Sequence, residues 1–288
     1  MSTIGITGPS PRKPRGRPVS DDTIALRDTL GTILAEQHPM TARGAFYAAS
    51  VRGAVDKTEQ GCRKVQRLLV KMREDFIIPW SWIVDGTRWR RGPETFSDVE
   101  DALQRTAALY RRNLWDHAPL TVEVWLEKDA LSGVLLPITD KWTVDLMVCR
   151  GYPSLSYLHA AAEHARAVDK PLQIYYLGDH DPSGKDIPRT IRKRLTEFGA
   201  DFDLTELAVT TEQIEAWQLP SRPTKKTDSR ASGFVGDSVE LDAIPPALLR
   251  DLVDNAISPH IDRHQLEVLQ AYEAEERALL YDLAGEAA

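Results

Sequence analysis

The chain has 288 residues, 42 % of them hydrophobic and 27 % charged, with a formal net charge of −7. That balance belongs to a globular chain and excludes a fibrous or wholly disordered one, and no apolar run approaches the roughly 20 residues of a membrane-spanning helix. The N-terminus is charged but has no apolar signal segment, so a soluble cytoplasmic protein is expected, and Cys62 and Cys149, outside any CxxC or zinc pattern, are expected to be free thiols.

The length suits one large domain preceded by a smaller one. Charge divides the same way: residues 1–91 hold 16 Lys and Arg against 9 Asp and Glu, a balance of +7, and residues 92–288 have a balance of −14. A basic module joined to a domain that concentrates carboxylates fits a partner that carries phosphate, although scattered surface charge gives the same count.

Residues 1–20 have almost nothing to bury and are expected to be a disordered basic tail. Within it, Pro14-Arg15-Gly16-Arg17-Pro18 resembles an AT-hook core, in which Arg15 and Arg17 would enter the narrow minor groove of A·T-rich DNA; an ordinary basic tail is the alternative. Residues 21–91 read as three helices and a hairpin. The first helix carries Ile24, Leu26, Leu30, Ile33 and Leu34 and stops near Pro39. The second is capped by Thr41 and runs through Tyr47. A third spans about Thr58 to Arg73, with Val65, Leu68, Leu69 and Met72 on one face and Arg63, Lys64, Arg67 and Lys71 on the other, where they could track a phosphate backbone or simply be solvated. Ile77 to Arg91 is read as a hairpin around Asp85-Gly86, followed by Arg88, Arg90 and Arg91. This order describes a winged-helix DNA-binding domain.

Residues 92–118 are read as a linker helix, Ser97 to Trp115, with Ser97 and Glu100 in capping-box positions. Beyond it, strands at Thr121–Leu126, Thr143–Cys149, Leu172–Leu177 and Asp203–Val209 alternate with helices near 129–141, 155–168 and 183–199. The prediction is an α/β domain over 119–288, with a mostly parallel, Rossmann-like sheet covered on both faces and helices from about 246 to 284.

Two strand ends carry acids. Val122-Glu123-Val124-Trp125-Leu126-Glu127-Lys128 places Glu127 after one buried strand, and Leu177-Gly178-Asp179-His180-Asp181-Pro182-Ser183-Gly184 places Asp179 and Asp181 after another. Parallel sheets gather ligands at such ends, and magnesium takes oxygen ligands of this kind. Lys128 lies next to Glu127 and could reach a phosphate. His180, between the aspartates, could contact a phosphate or move a proton. His260 and His264 have i,i+4 spacing but no third zinc ligand, so an exposed helix face is the better reading. Lys225, Lys226 and Arg230 lie in a Pro/Ser-rich loop able to touch DNA.

Glu at one strand end and Asp-x-Asp-Pro-x-Gly after a later strand resemble the Toprim domain. Together with Arg150-Gly151-Tyr152-Pro153-Ser154 between them, they look most like the A subunit of topoisomerase VI and its relative, the meiotic double-strand-break protein. That resemblance covers about residues 22–258 in outline and implies Glu127, Asp179 and Asp181 as ligands of Mg2+, with Lys128 and Arg150 on the DNA. Its second signature is a winged-helix stretch Thr-x-Arg-Asp-x-Tyr-Tyr. Thr41-Ala42-Arg43-Gly44-Ala45-Phe46-Tyr47 matches it at Thr41, Arg43 and Tyr47 and departs at Gly44 and Phe46.

By the resemblance, Tyr47 attacks a DNA phosphate to give a tyrosyl-DNA link, and Arg43, one helical turn earlier, offsets developing charge. A homodimer acting on double-stranded DNA is implied, each chain cutting one strand, with the tyrosine of one chain facing the metal of the other. The chain has no P-loop, so ATP-driven strand passage would need a separate ATPase subunit. Association with the nucleoid follows from the DNA partner. Two alternatives stand beside this transesterase: a Toprim-type hydrolytic nuclease in which Tyr47 is structural, and a DNA-binding protein with an inactive site.

Overall fold

The computed structural model describes residues 20–84, 93–168, 170–223, 234 and 236–286. The Arg15 and Arg17 tail motif, Arg88, Arg90 and Arg91 of the expected wing, and the basic loop residues Lys225, Lys226 and Arg230 lie outside the described residues.

The N-terminal part begins with α1 (Asp21–Gln37), α2 (Ala42–Val51) and α3 (Glu59–Glu74). Thr41 caps α2 as expected, its hydroxyl accepting the Gly44 N–H at 2.9 Å, and Thr58 caps α3 by the same device. The first arm of the expected hairpin is not a strand. Residues 80–82 form a 3-10 turn, and Ile83 makes one parallel bridge to Met40. Pro79 favours this turn, and the Trp82 ring is stacked 4.5 Å from that of His38.

The linker helix, α4 (Val99–Leu109), is shorter than the pattern suggested and has a different cap. Asp98, not Ser97, takes the cap, accepting the Asp101 N–H at 2.8 Å while the Asp101 carboxylate accepts the Ser97 N–H at 3.0 Å. The helix ends at Leu109 because the next residues are claimed by the C-terminal helix α10 (Arg263–Glu286): Glu276 accepts from the Tyr110 hydroxyl and the Arg112 guanidinium, and Glu273 from the Arg112 N–H.

The remainder alternates as predicted, β1 (Thr121–Leu126), α5 (Ser132–Trp142), β2 (Asp145–Val148), α6 (Leu155–Val168), β3 (Leu172–Leu177), α7 (Pro182–Glu197) and β4 (Phe202–Ala208), followed by a short α8 (Thr211–Ala216) that the pattern did not mark and by α9 (Pro246–Ile257). β2 begins two residues later than expected because Thr143 closes α5 in the left-handed region at φ 49°. The four strands form one all-parallel sheet in the order β2-β1-β3-β4, which puts β1 and β3 at its centre. The C-terminal helical run is broken, with a 3-10 turn at Ser258–His260 between α9 and α10.

Alternation along β1 divides the core. Val122, Val124 and Leu126 join the buried residues of α5, α9 and the three N-terminal helices in one contiguous apolar cluster. Trp125 joins Ile174 and Tyr176 of β3 in a second cluster under α6 and α7. Both faces are therefore covered, as a parallel sheet requires. The same packing brings the N-terminal helices against the carboxyl-end loops of the sheet, where Thr41 donates to Asp242 at 2.9 Å. Among the described residues no helix is long and apolar enough to cross a membrane.

Candidate metal centre

The last rungs of the ladder place the acids. The Glu127 N–H donates to the Leu177 carbonyl at 2.9 Å, and on the other side the Gly178 N–H donates to Ala208 at 2.8 Å. Glu127 Oε2 then accepts the Asp179 N–H at 3.0 Å and the Tyr176 hydroxyl at 3.3 Å. This closeness requires glycine at 178, since a Cβ there would lie 2.6 Å from Glu127 Oε2 and 2.7 Å from the Tyr176 side chain. Gly184 has a matching reason: its Cβ would fall 2.0 Å from the Asp179 carbonyl oxygen. Asp181 caps α7, its Oδ1 accepting the Gly184 N–H at 2.8 Å. The Asp-x-Asp-Pro-x-Gly spacing is thus a helix start folded over an acidic strand end.

Glu127 and Asp179 are brought together, whereas Asp181 is turned toward its cap. Glu127, Asp179 and Asp181 do not form a set whose ligand atoms all lie within 4.8 Å; among the described residues the set that does is Glu123, Asp145 and His164, which could hold a metal ion. Burial, reinforced by the Asp179 charge, pushes the Glu127 carboxyl up to about 7. Burial also raises Asp179, against the pull of Lys128. The Lys128 ammonium sits 2.9 Å from Asp179 Oδ1, 3.1 Å from Asp242 Oδ2 and 3.7 Å from Glu240 Oε2. Burial opposes its charge, but the three carboxylates outweigh it and hold its pKa above the usual lysine value. The three side chains offer oxygen donors only, the kind a hard cation takes, and the Glu127 charge is crowded by Asp179 and Asp181, but the three are not gathered around one point.

Tyr47 lies on the other side of this cluster. It is buried, at 6 % exposure. Burial and the neighbouring Glu240 charge push its phenol up to about 12, against the opposing pull of Arg43 and Arg222. Glu240 Oε1 is 2.8 Å from Arg222 Nη1, and its Oε2 is 3.1 Å from Arg43 Nε, an ion pair without hydrogen-bond geometry that leaves this buried oxygen with no hydrogen-bond partner. The Lys57 ammonium lies 5.6 Å from the centre of the Tyr47 ring. A run of ion pairs therefore links Arg43, one turn from Tyr47, to Asp179 within one chain, through Glu240 and Lys128. The resemblance had implied a tyrosine facing the metal of a second chain.

Arg150 sits beside the acids in the left-handed region at φ 54° and pairs with Asp129 at 2.7 Å. Together with Glu127, Lys128 and Gly151 they line a surface cavity of about 430 Å³. On α3, Arg63, Arg67 and Lys71 are exposed and Lys64 partly so, with Arg63 paired to Glu59 and Lys71 to Asp75. The His180 ring faces the Val209 carbonyl at 3.3 Å and the Phe234 ring at 5.2 Å. His260 bonds the Tyr175 hydroxyl at 2.6 Å from the 3-10 turn, while His264 stands exposed on α10, so they do not share one helix.

The sequence reading missed Glu240, Asp242 and Arg222. The two acids are 4 % exposed, in a segment where Val239, Leu241, Ala243 and Ile244 are also buried. An acid-x-acid pair set inside an apolar run was the available signal, because charges so placed must find partners. No family model matches the chain, and no curated protein matches it.

Proposed function

We propose that the chain is a magnesium-dependent DNA-cleaving enzyme and that Tyr47 is its nucleophile, as in the type IIB topoisomerase A subunits that its motifs resemble. The observation that carries this reading is the run of ion pairs from Arg43 through Glu240 and Lys128 to Asp179, with Tyr47 in the field of Glu240. It joins the two motifs, which lie far apart in sequence, in one polar site. Glu127, Asp179 and Asp181 would hold the ion, which when bound supplies Lewis-acid polarisation of a phosphoryl oxygen.

The chain's own residues do the rest. Arg43 and Lys128 bind phosphate oxygens, and Arg43 with Arg222 offsets charge on the phenol oxygen as it attacks. The Tyr47 oxygen would bond to phosphorus as the bond from phosphorus to the sugar oxygen breaks; the phenolic proton would pass to Glu240, and the departing sugar oxygen would take up a proton from water to leave as a hydroxyl. One ester replaces another, so resealing needs no ATP as chemistry. The basic face of α3 holds the duplex, and a homodimer would cut both strands; ATP-driven strand passage would fall to a separate subunit.

Hydrolysis by water is the second reading, and one observation favours it: Tyr47 is covered and its phenol stays protonated at neutral pH. Tyr47→Phe separates the two, since it keeps the ring and removes the attacking oxygen. On denaturing gels, wild type should yield protein-linked DNA and the variant neither link nor cut. Free cut ends from both proteins would overturn the tyrosine assignment and leave the metal site standing.

A further inference from the structure

A second set of metal-type side chains lies at the opposite end of the sheet. Glu123 is the third residue of β1, and its register partner on the edge strand β2 is Asp145. His164 comes from α6, the helix that packs over this face through Leu158, Ala161 and Ala162. One ligand atom from each of the three lies within 4.8 Å of the other two. Asp145 and His164 are exposed, whereas Glu123 is 4 % exposed.

Glu123 is the informative member. Its carboxylate accepts one hydrogen bond, from Trp125 Nε1 at 2.7 Å, and among the described residues no Lys or Arg pairs with it. The carboxylate facing it, Asp145, is a like charge. Burial of an ionised carboxylate is costly unless a cation or a strong hydrogen-bonding shell compensates it. Burial indeed raises its pKa, offset in part by the Trp125 hydrogen bond and then by the His164 charge. A buried carboxylate, an exposed carboxylate and an imidazole, drawn from three elements and, among the described residues, without a Lys or Arg paired to the buried acid, are what a bound cation would explain.

We propose that Glu123, Asp145 and His164 form a second divalent-metal site, selective for zinc and similar transition ions. Imidazole suits zinc, cobalt and nickel, while magnesium prefers oxygen donors alone, so this site and the Glu127 site divide the metals by ligand chemistry. Three protein ligands leave a position open to water. The ion would tie edge strand β2 and helix α6 to the central strand β1, a structural role distinct from phosphodiester cleavage and independent of that proposal.

The test uses the full chain, stripped of metal and titrated with Co2+ in excess Mg2+, following the visible absorption of bound cobalt and the thermal midpoint. Wild type should bind one equivalent, displaceable by Zn2+, with a rise in Tm. His164→Ala and Asp145→Asn change exposed side chains and should fold, yet lose at least about 10-fold in Co2+ affinity, the smallest loss expected even for an outer-shell partner. Glu127→Ala should bind Co2+ as wild type does. Absence of Co2+ binding to wild type overturns the site, as does undiminished binding by His164→Ala or loss confined to Glu127→Ala.

Discussion

Glu127→Gln gives the sharpest test of the candidate metal centre, because it should harm activity and help folding. A carboxyl whose pKa rises from 4.5 to about 7 in the fold disfavours the folded state by about 3 kcal/mol once ionised, at roughly 1.36 kcal/mol for each tenfold change in proton affinity. Since the folded value lies above the unfolded one, there is no penalty below pH 4.5; it grows as pH rises and is complete above 7. Glutamine carries no charge, can still accept the Asp179 N–H, and removes the repulsion that Asp179 feels. In chelator at pH 8 the variant should therefore be more stable than wild type by up to about 3 kcal/mol in urea melts, with the gap closing toward pH 5. Magnesium at about 100 times its Kd should nearly close the gap, since it stabilises the binding form by about 2.7 kcal/mol, and at about 1,000 times its Kd, worth about 4.1 kcal/mol, it should reverse the order. DNA cleavage by the variant should be lost. A variant less stable than wild type at pH 8 in chelator, or with the same pH dependence, would refute the assignment of Glu127 as a crowded carboxylate awaiting a cation.

Gly178→Ala should cost about 1–3 kcal/mol by overpacking, because its Cβ would meet Glu127 Oε2 at 2.6 Å; magnesium titrations should show weakened binding even where the fold survives. Replacing Lys64 and Arg67 together by alanine should lower duplex affinity and reduce the slope of log K against log salt by roughly 1.8, about 0.9 for each lost phosphate contact. An unchanged slope would remove α3 from the DNA interface.

Much of this architecture was legible because its signals are local. Four-to-six-residue apolar runs ending in acids marked β1 and β3, and Thr41 and Asp181 start helices through contacts three residues away. Local signals also explain the misses. Ser97 and Asp98 are both good caps, and only the Asp101 bond back to Ser97 decides between them. The Tyr110 to Trp115 stretch has helical spacing, but bonds from Glu273 and Glu276, more than 150 residues away, hold it out of the helix. Lys128 likewise meets Asp242 across 114 positions, so a local window could mark Glu240 and Asp242 as acids in need of partners but not which site they complete.

Strand geometry decides whether β1 serves one acidic site or two. Glu123, Trp125 and Glu127 alternate onto one face, and at about 3.3 Å per residue the two glutamates lie roughly 13 Å apart along the strand. That exceeds the reach of a single metal ion. With Trp125 between them, fully buried and bonded to Glu123 rather than Glu127, neither carboxylate can neutralise its charge at the other's expense. Each must find its own cation or proton. Glu127 sits in a cluster of oxygen donors and Glu123 beside an imidazole, so the two proposals together give one strand a hard site and a borderline one.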